Sequence, residues 1–345
     1  MLFVNIQKKV RSFQLDVRFN ISNGITGLLG PSGSGKSLTL QCIAGIQKPD
    51  SGEISLNNKS FFHRTNKISL KTQQRNVGFV FQQYALFPHL TVKQNIEYGL
   101  FSVPKEDRHH KASIWIHSMG LNGLEHHYPS QLSGGQQQRT ALARTLATKP
   151  DILLLDEPFS ALDTTLRSKL ANELIQLVEQ HFHGPALLVT HDIEEAYHVC
   201  HSLVLLHDGK VKQTGKTQDV FLNPQSYEAA QLLGCQNLFP ISSYEKSSGI
   251  VFINDDISLH VDERTNNTPA YIGIHPHDIQ IVSEIGEREN TLQAKVCSVM
   301  EKIHTTTLFV SFSQHQLEID VPKGHSSTFH ANLTIHLPKD KLFLC

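Results

Sequence analysis

The segment Gly30-Pro31-Ser32-Gly33-Ser34-Gly35-Lys36-Ser37 constrains this chain more than any other. It has the spacing GxxxxGK[ST]. The apolar run Ile25–Leu29 leads into it, and the pattern from Leu38 to Ile46 leaves it as a helix. That strand–loop–helix context is what a phosphate-binding loop requires. The glycines let successive backbone N–H groups converge on phosphate oxygens, and the helix N-terminus adds its partial positive charge. Lys36 is expected to reach the β- and γ-phosphates, and Ser37 to ligate Mg²⁺. A glycine turn with a chance lysine would not need a strand before it and a helix after it.

The rest of the first 235 residues fits a sheet built around that loop. Leu2, Val4 and Ile6 alternate, as do Phe13, Leu15, Val17 and Phe19, which is the period of half-buried strands. Residues 53–82 read as further strands and loops, and 91–125 as helix interrupted near Pro104. A helix starts after Ser130 and runs to Thr148. Asp151–Asp156 is a buried strand by its unbroken apolar run, followed by helix at Leu166–His181, strand at Ala186–Thr190, helix at Glu194–Cys200 and strand at Leu203–Leu206. Strands alternating with helices predict a parallel α/β sheet. Beyond about residue 235 the chain changes to short alternating segments separated by turns, from Ile250–Ile253 to Thr334–Leu337, which predicts a small barrel or sandwich. The predicted domains are 1–235 and 236–345, with the boundary between Gly234 and Pro240.

Asp156-Glu157 closes the apolar strand Ile152–Leu155. Carboxylates at the carboxyl end of such a strand lie in the crevice where α/β sheets bind ligands. Asp156 suits a Mg²⁺ partner, and Glu157 suits the group that polarises an attacking water. Leu132-Ser133-Gly134-Gly135-Gln136-Gln137-Gln138-Arg139 then resembles the signature motif of ABC-transporter ATPases. Further elements follow in the family's order. Val80-Phe81-Gln82 resembles the Q-loop, Ser160-Ala161-Leu162-Asp163 the D-loop, and Thr190-His191-Asp192 the switch loop. The resemblance covers residues 1 to about 235. It implies a P-loop ABC ATPase domain with a helical subdomain that binds ATP and Mg²⁺. Two copies would close head-to-tail, with Ser133, Gly134, Gly135 and Gln136 of one copy facing the γ-phosphate held by the other. It also implies Gln82 near Mg²⁺ and the water, His191 on the γ-phosphate, and Asp163 in the loop that crosses the dimer. Phe13 is the candidate for stacking on adenine, although it could equally be a core strand residue.

Residues Gln83–Val92, rich in aromatics, are similar to the region of importer ATPases that receives a coupling helix of the permease. Ile272-Gly273-Ile274-His275-Pro276-His277-Asp278-Ile279 is similar to the I-R-P-E-D-I segment of importer ATPases with an appended regulatory domain, with His275 where Arg is usual. Leu292–Leu344 resembles that domain's all-β, OB-like (TOBE/MOP-like) barrel. The start Phe13–Val17 and the 345-residue length look most like molybdate importer ATPases. That likeness implies molybdate or tungstate as solute, with sulfate, polyamine, sugar and iron importers as alternatives. In Glu287-Arg288-Glu289-Asn290-Thr291 two carboxylates stand where an oxyanion-binding run is expected, and they would repel molybdate.

Composition removes other classes. Thirty-one Lys+Arg against 32 Asp+Glu exclude a general basic platform for nucleic acid. Five scattered cysteines, never spaced CxxC, argue against a disulfide framework and a structural zinc site and fit a reducing cytosol. No apolar run reaches the roughly 18–20 residues of a spanning helix, and the segment MLFVNIQKKV lacks the apolar core expected of a signal peptide. The 21 histidines read as solvated loop residues. The expectation is therefore a peripheral importer ATPase at the cytoplasmic face of the inner membrane. Its partners would be a second copy, integral-membrane permease subunits and, indirectly, an extracytoplasmic solute-binding protein. The rival from another class is a non-transport ATPase scaffold whose barrel binds a protein or RNA.

Overall fold

The structure is a computed structural model. It describes residues 1–160, 164–254, 257–262, 268–282, 289–303, 305–323 and 331–345, with backbone alone over 164–170. It divides into two compact units, Met1–Thr217 and Gln218–Cys345.

The first unit carries one 11-stranded sheet. Its strands are β1 (Leu2–Val10), β2 (Phe13–Ile21), β3 (Gly24–Leu29), β4 (Ser51–Leu56), β5 (Lys59–His63), β6 (Ile68–Ser69), β7 (Val77–Val80), β8 (Ile152–Asp156), β9 (Pro185–Thr190), β10 (Ser202–His207) and β11 (Lys210–Lys216). The helices are α1 (Lys36–Ala44), α2 (Thr72–Arg75), α3 (Val92–Gly99), α4 (Lys105–Ser118), α5 (Gly134–Ala147), α6 (Thr164–His181) and α7 (Ile193–Val199). The sheet order is β6-β5-β4-β1-β2-β11-β10-β3-β9-β8-β7. Only β10, β3, β9, β8 and β7 form the predicted parallel array. The strands β6, β5, β4, β1 and β2 pair antiparallel. A two-residue turn at Arg11-Ser12 can join only antiparallel neighbours, whereas each parallel pair needs a crossover. The parallel α/β sheet expected from the strand–helix alternation is thus present, extended on one side by antiparallel strands.

Sequence pattern explains the layers. Leu2, Val4 and Ile6 of β1 and Leu15, Val17 and Phe19 of β2 are all buried on one face, with the less buried Phe3, Asn5, Asp16 and Arg18 between them. Leu153, Leu154 and Leu155 of β8 have no exposure, because parallel strands are covered on both faces. One charged side chain lies deep in this core. Arg75 is 1% exposed; its Nε donates to Leu70 O, and its Nη1 donates to Cys42 O and Ile43 O at the carboxyl end of α1. The guanidinium also lies over the Phe61 ring, 5.6 Å from its centroid. It satisfies helix-end carbonyls that have no partner within the helix.

Among its described residues the second unit is all-β apart from the two short α-helices at its start, Thr217–Leu222 and Tyr227–Leu232, and the 3-10 turns Pro276–Asp278 and Lys339–Lys341. The texture change at 234–240 lies after these helices and the packing division lies before them. Ala230 packs with Cys235 and Phe343, and the Tyr227 and Tyr271 rings lie 4.8 Å apart, so the second helix belongs by packing with the strands that follow. Those strands form a five-stranded antiparallel sheet and two three-stranded sheets. The five-stranded sheet runs Gln280–Val282, Asn332–His336, Thr291–Glu301, Thr305–Phe312, His315–Pro322, a curled, OB-like arrangement rather than a barrel closed strand to strand among the described residues. One apolar core lies inside, with Leu308, Val310, Ile319 and Ile335 at zero exposure. Two buried asparagines fasten the sheets. Asn237 exchanges hydrogen bonds with the Glu318 backbone, at 2.7 and 2.8 Å. Asn290, with φ 59°, bonds to both backbone groups of His260 and to Leu337 O. Of the run Glu287–Thr291, positions 287 and 288 lie outside the described residues.

Among the described residues no helix is long and apolar enough to cross a membrane. Arg75→Ala would remove a donor from three backbone carbonyls, of which Cys42 O keeps the Gly45 N–H, an expected loss of about 3 kcal/mol. A urea titration should show a lower midpoint for the first unit, and Arg75→Lys should recover only part of it, because an ammonium cannot reproduce the planar fork.

Candidate active site

The register of the parallel strands assembles the site. Leu29 pairs with Thr190, Val189 with Asp156, and Leu155 with Val80. Four segments therefore leave the sheet at one edge, its carboxyl edge: Gly30–Gly35 after β3, Gln82 after β7, Glu157 after β8 and His191 after β9. That edge is where open α/β sheets bind ligands.

The loop is shaped by close backbone approach. A Cβ on Gly30 would lie 2.1 Å from Leu206 O of β10. Gly33 and Gly35 have φ of 82° and 102°, which an L side chain rarely adopts. A Cβ on Gly33 would meet nothing within 4 Å, so this part of the loop faces open space. The Asp208-Gly209 turn joining β10 and β11 holds the loop from below, with Gly209 N–H donating to Ser34 O and Asp16 N–H donating to Gly209 O. Pro31 and Ser32 are exposed, and the buried Ser34 hydroxyl has no hydrogen-bond partner.

Lys36 is 5% exposed and folds back on the loop, its Nζ donating to Gly30 O at 2.8 Å and Pro31 O at 2.9 Å. Burial lowers its pKa, against the charges of Glu157 and Asp156. The Ser37 hydroxyl donates to Asp156 Oδ1 at 2.9 Å. Burial raises the Asp156 pKa and the Glu157 charge adds to that, while the Ser37 bond and Lys36 oppose it. A hydroxyl and a carboxylate in contact are the hard oxygen donors Mg²⁺ prefers. Among the described residues no group of three or more His, Cys, Asp or Glu could hold a metal alone. The pair therefore fits an ion that takes its other ligands from phosphate and water, and the open face of the loop with the unpartnered Ser34 hydroxyl fits the phosphates.

Glu157 adopts the left-handed conformation, φ 44°, and two groups converge on its Oε2. Gln82 Nε2 lies 3.4 Å away and His191 Nδ1 3.5 Å away. The backbone around Glu157 is braced. Its N–H donates to Val189 O, its C=O accepts from both the N–H and the hydroxyl of Ser160, and the buried Gln138 Nε2 donates to Pro158 O at 3.0 Å. A second network holds the turn carrying His191: Thr190 Oγ1 donates to Glu195 Oε2 at 2.6 Å, Asp192 N–H donates to Thr190 Oγ1, and Glu195 N–H donates to Asp192 Oδ1. Sequence reading placed Gln138 and Ser160 in motifs without giving them these bracing roles, and it missed Glu195. The polar side chains at Gln138 and Glu195 sit on the buried faces of α5 and α7 and could have been noticed there.

Ser133 caps the N-terminus of α5. It accepts from Gln136 N–H at 3.4 Å, and Gln136 Oε1 accepts from Ser133 N–H at 2.8 Å. Gly134 and Gly135 form the first turn of that helix. Phe13 is half-buried, and a Cβ on Gly35 would lie 3.0 Å from its Cζ, so its ring both joins the core and flanks the loop. Asp163 lies outside the described residues.

Beside β7 lies an aromatic cleft of about 450 Å³, lined in part by Phe81, Phe87, Tyr98, Phe101 and Arg144. Tyr98 is 59% and Phe101 69% exposed. Arg144 lies over the Phe87 ring and donates to Tyr84 O and Ala85 O. The fully buried Asn95 binds Phe87 through both backbone groups and also donates to Leu90 O and Thr91 O.

Residues 15–160 match the family model described as ABC transporter. The chain is 37% identical to the sulfate/thiosulfate import ATP-binding protein CysA of Synechocystis, covering 81% of this chain and 76% of that protein. It is 33% identical to the protein of the same name from Mesorhizobium japonicum, covering 98% of this chain and 97% of that one. The chain belongs to the ABC transporter ATP-binding proteins. It is of the import type, and its reaction is MgATP hydrolysis. A solved ATP-binding cassette, dimeric in a post-hydrolysis state with ADP and Pi, is 34% identical with a TM-score of 0.53, covering 63% of this chain and 99% of that one.

Gly30→Ala should abolish nucleotide binding, because the new methyl cannot coexist with the Leu206 carbonyl. Titration with a fluorescent ATP analogue checks this.

Proposed function

We propose that this chain drives uptake of sulfate or thiosulfate through a membrane permease. The observation that carries this reading is the likeness to CysA proteins over almost the whole chain, second unit included. It replaces the expectation of molybdate or tungstate and agrees with the sulfate alternative.

In this reading Lys36 and the loop N–H groups bind the β- and γ-phosphates, and Ser37, Asp156 and Gln82 hold Mg²⁺. When bound, the ion neutralises phosphate charge as the leaving oxygen departs. Glu157 Oε2 accepts a hydrogen bond from the attacking water and orients it in line with the γ-phosphorus. His191 and Gln82, both within 3.5 Å of that oxygen, keep the carboxylate aimed and let it sense the γ-phosphate. Ser133 to Gln136, at a helix N-terminus, supply an anion cradle to the γ-phosphate of a second copy. Asp163 lies at the crossing between copies, and Phe13 flanks adenine. The aromatic cleft receives a permease helix: its rings are exposed anchors, and Asn95 and Arg144 keep its wall rigid. ATP-driven closure of the dimer is thereby passed to the permease. The chain sits peripherally at the cytoplasmic face of the membrane, and a solute-binding protein on the opposite side delivers the anion. The curled all-β part of the second unit is a TOBE-like regulatory domain, and the working domains are 1–235 and 236–345, with the helix Tyr227–Leu232 packed on the second.

Glu157→Gln should bind MgATP, dimerise, and hydrolyse at least about 100-fold more slowly; turnover near the parent rate would remove Glu157 from this role. For the solute, the chain reconstituted with its permease and binding protein should show ATPase stimulation by sulfate and thiosulfate. Stimulation by molybdate and tungstate alone would reverse the assignment.

A further inference from the structure

A second concavity lies on the first unit, formed by the loop after α1 and the β5–β6 hairpin. It has a volume of about 360 Å³ and is lined by Lys48, His63, Arg64, Lys67 and Ser69, with Phe62 and Ile68. None of the lining residues is acidic. Phe62 is 1% exposed and closes the floor, whereas Lys48, Arg64 and Lys67 reach into solvent.

Three features distinguish this hollow from an ordinary charged surface. First, its lysine and arginine cations make no close ion pair, Arg64 reaching Asp50 only through longer-range charge. Some lysines elsewhere are paired, as Lys8 with Asp50, Lys302 with Asp320, Lys339 with Asp262 and Lys341 with Asp278. Lys48, Arg64 and Lys67 make no ion pair with a described residue. Second, the nearest acids are engaged. Asp50 accepts from Lys8 Nζ at 2.9 Å and from Lys9 N–H at 2.8 Å, and Glu53 lies 3.6 Å from His63 Nε2. Third, the backbone presents the charges. His63 Nδ1 accepts from Asn66 N–H, which leaves Nε2 to carry the proton. Lys67, with φ 54°, occupies a left-handed turn position that Asn or Gly usually fills. Arg64 N–H is tied to Gly52 O, and Lys67 N–H to Arg64 O.

We propose that this hollow binds a tetrahedral oxyanion, as free sulfate or phosphate or as the phosphate of an anionic lipid headgroup. Arg64 offers a planar fork for two oxygens, Lys48 and Lys67 supply point charges from opposite sides, and the Ser69 hydroxyl adds a neutral donor. The apolar floor sets the anion at the surface, so binding weakens as salt rises. The site lies in a different part of the unit from the phosphate loop and makes no use of its residues.

The test is equilibrium dialysis of the full chain with radiolabelled sulfate and phosphate. A non-hydrolysable MgATP analogue fills the nucleotide site, so its phosphate positions are taken. Cosedimentation with neutral vesicles and with vesicles containing phosphatidic acid forms the other arm. The control is Lys48→Gln/Arg64→Gln/Lys67→Gln; these exposed residues lie outside the catalytic machinery, and ATP hydrolysis by the triple variant should be unchanged. One equivalent of either free anion, weakened at least about tenfold in the variant, identifies a soluble oxyanion as ligand. Vesicle binding that needs phosphatidic acid and is lost in the variant identifies a headgroup. Absence of binding in both arms, or binding equal in parent and variant, overturns the proposal.

Discussion

The parallel register of five strands is the constraint on which everything else rests. Pairing in a parallel ladder leaves little freedom to slide, because a shift of one residue turns every side chain to the other face. Here the faces are filled by Ile152–Leu155 and Pro185–Val189, all buried, so the register is locked by packing. Once it is locked, the ends of β3, β7, β8 and β9 lie side by side. A glycine loop, an amide, a carboxylate and an imidazole then meet although they come from positions 30, 82, 157 and 191. Each side chain needs only a turn or two of local bracing to reach its final place.

Electrostatics at that edge is a balance of costs. Lys36 and Asp156 are both largely removed from water, and each is disfavoured in its charged form by that removal. They offset one another in part, with Ser37 contributing a hydrogen bond to the carboxylate. The resting arrangement, with the ammonium turned onto two backbone carbonyls, satisfies the lysine while leaving the outer face of the loop open. An incoming phosphate would therefore meet a group already desolvated and held close, and little reorganisation is needed.

Much of this was legible in the sequence because the motifs are dense in glycine and charge at fixed spacing, and because apolar runs mark buried parallel strands without ambiguity. The loop 30–37, the Asp156-Glu157 strand end and the His191 turn were readable for that reason. The antiparallel half was less so, since period-two alternation says that a strand exists and says nothing about its neighbour's direction. Arg75 was invisible: a charged residue in a polar stretch reads as surface, and only the fold shows helix-end carbonyls waiting for it. The same holds for Asn95 and Asn290, whose roles depend on backbone groups far away or across a turn. The division between units was blurred because the second helix, Tyr227–Leu232, is helical in pattern yet packs on strands that come more than a hundred residues later in the chain, at Phe343.

The close approach of Gly30 to the Leu206 carbonyl has a consequence for how such a protein is dissected. Strand β10 contributes no side chain to the chemistry, so a scan that truncates residues facing the site would pass over it. Yet its backbone is the mould in which the loop is cast. A substitution that displaces β10 by a few tenths of an ångström, through bulk added beneath Val204 or Leu206, would surface as weak nucleotide affinity with every contacting residue intact. In this fold the functional footprint is wider than the set of side chains that touch the ligand.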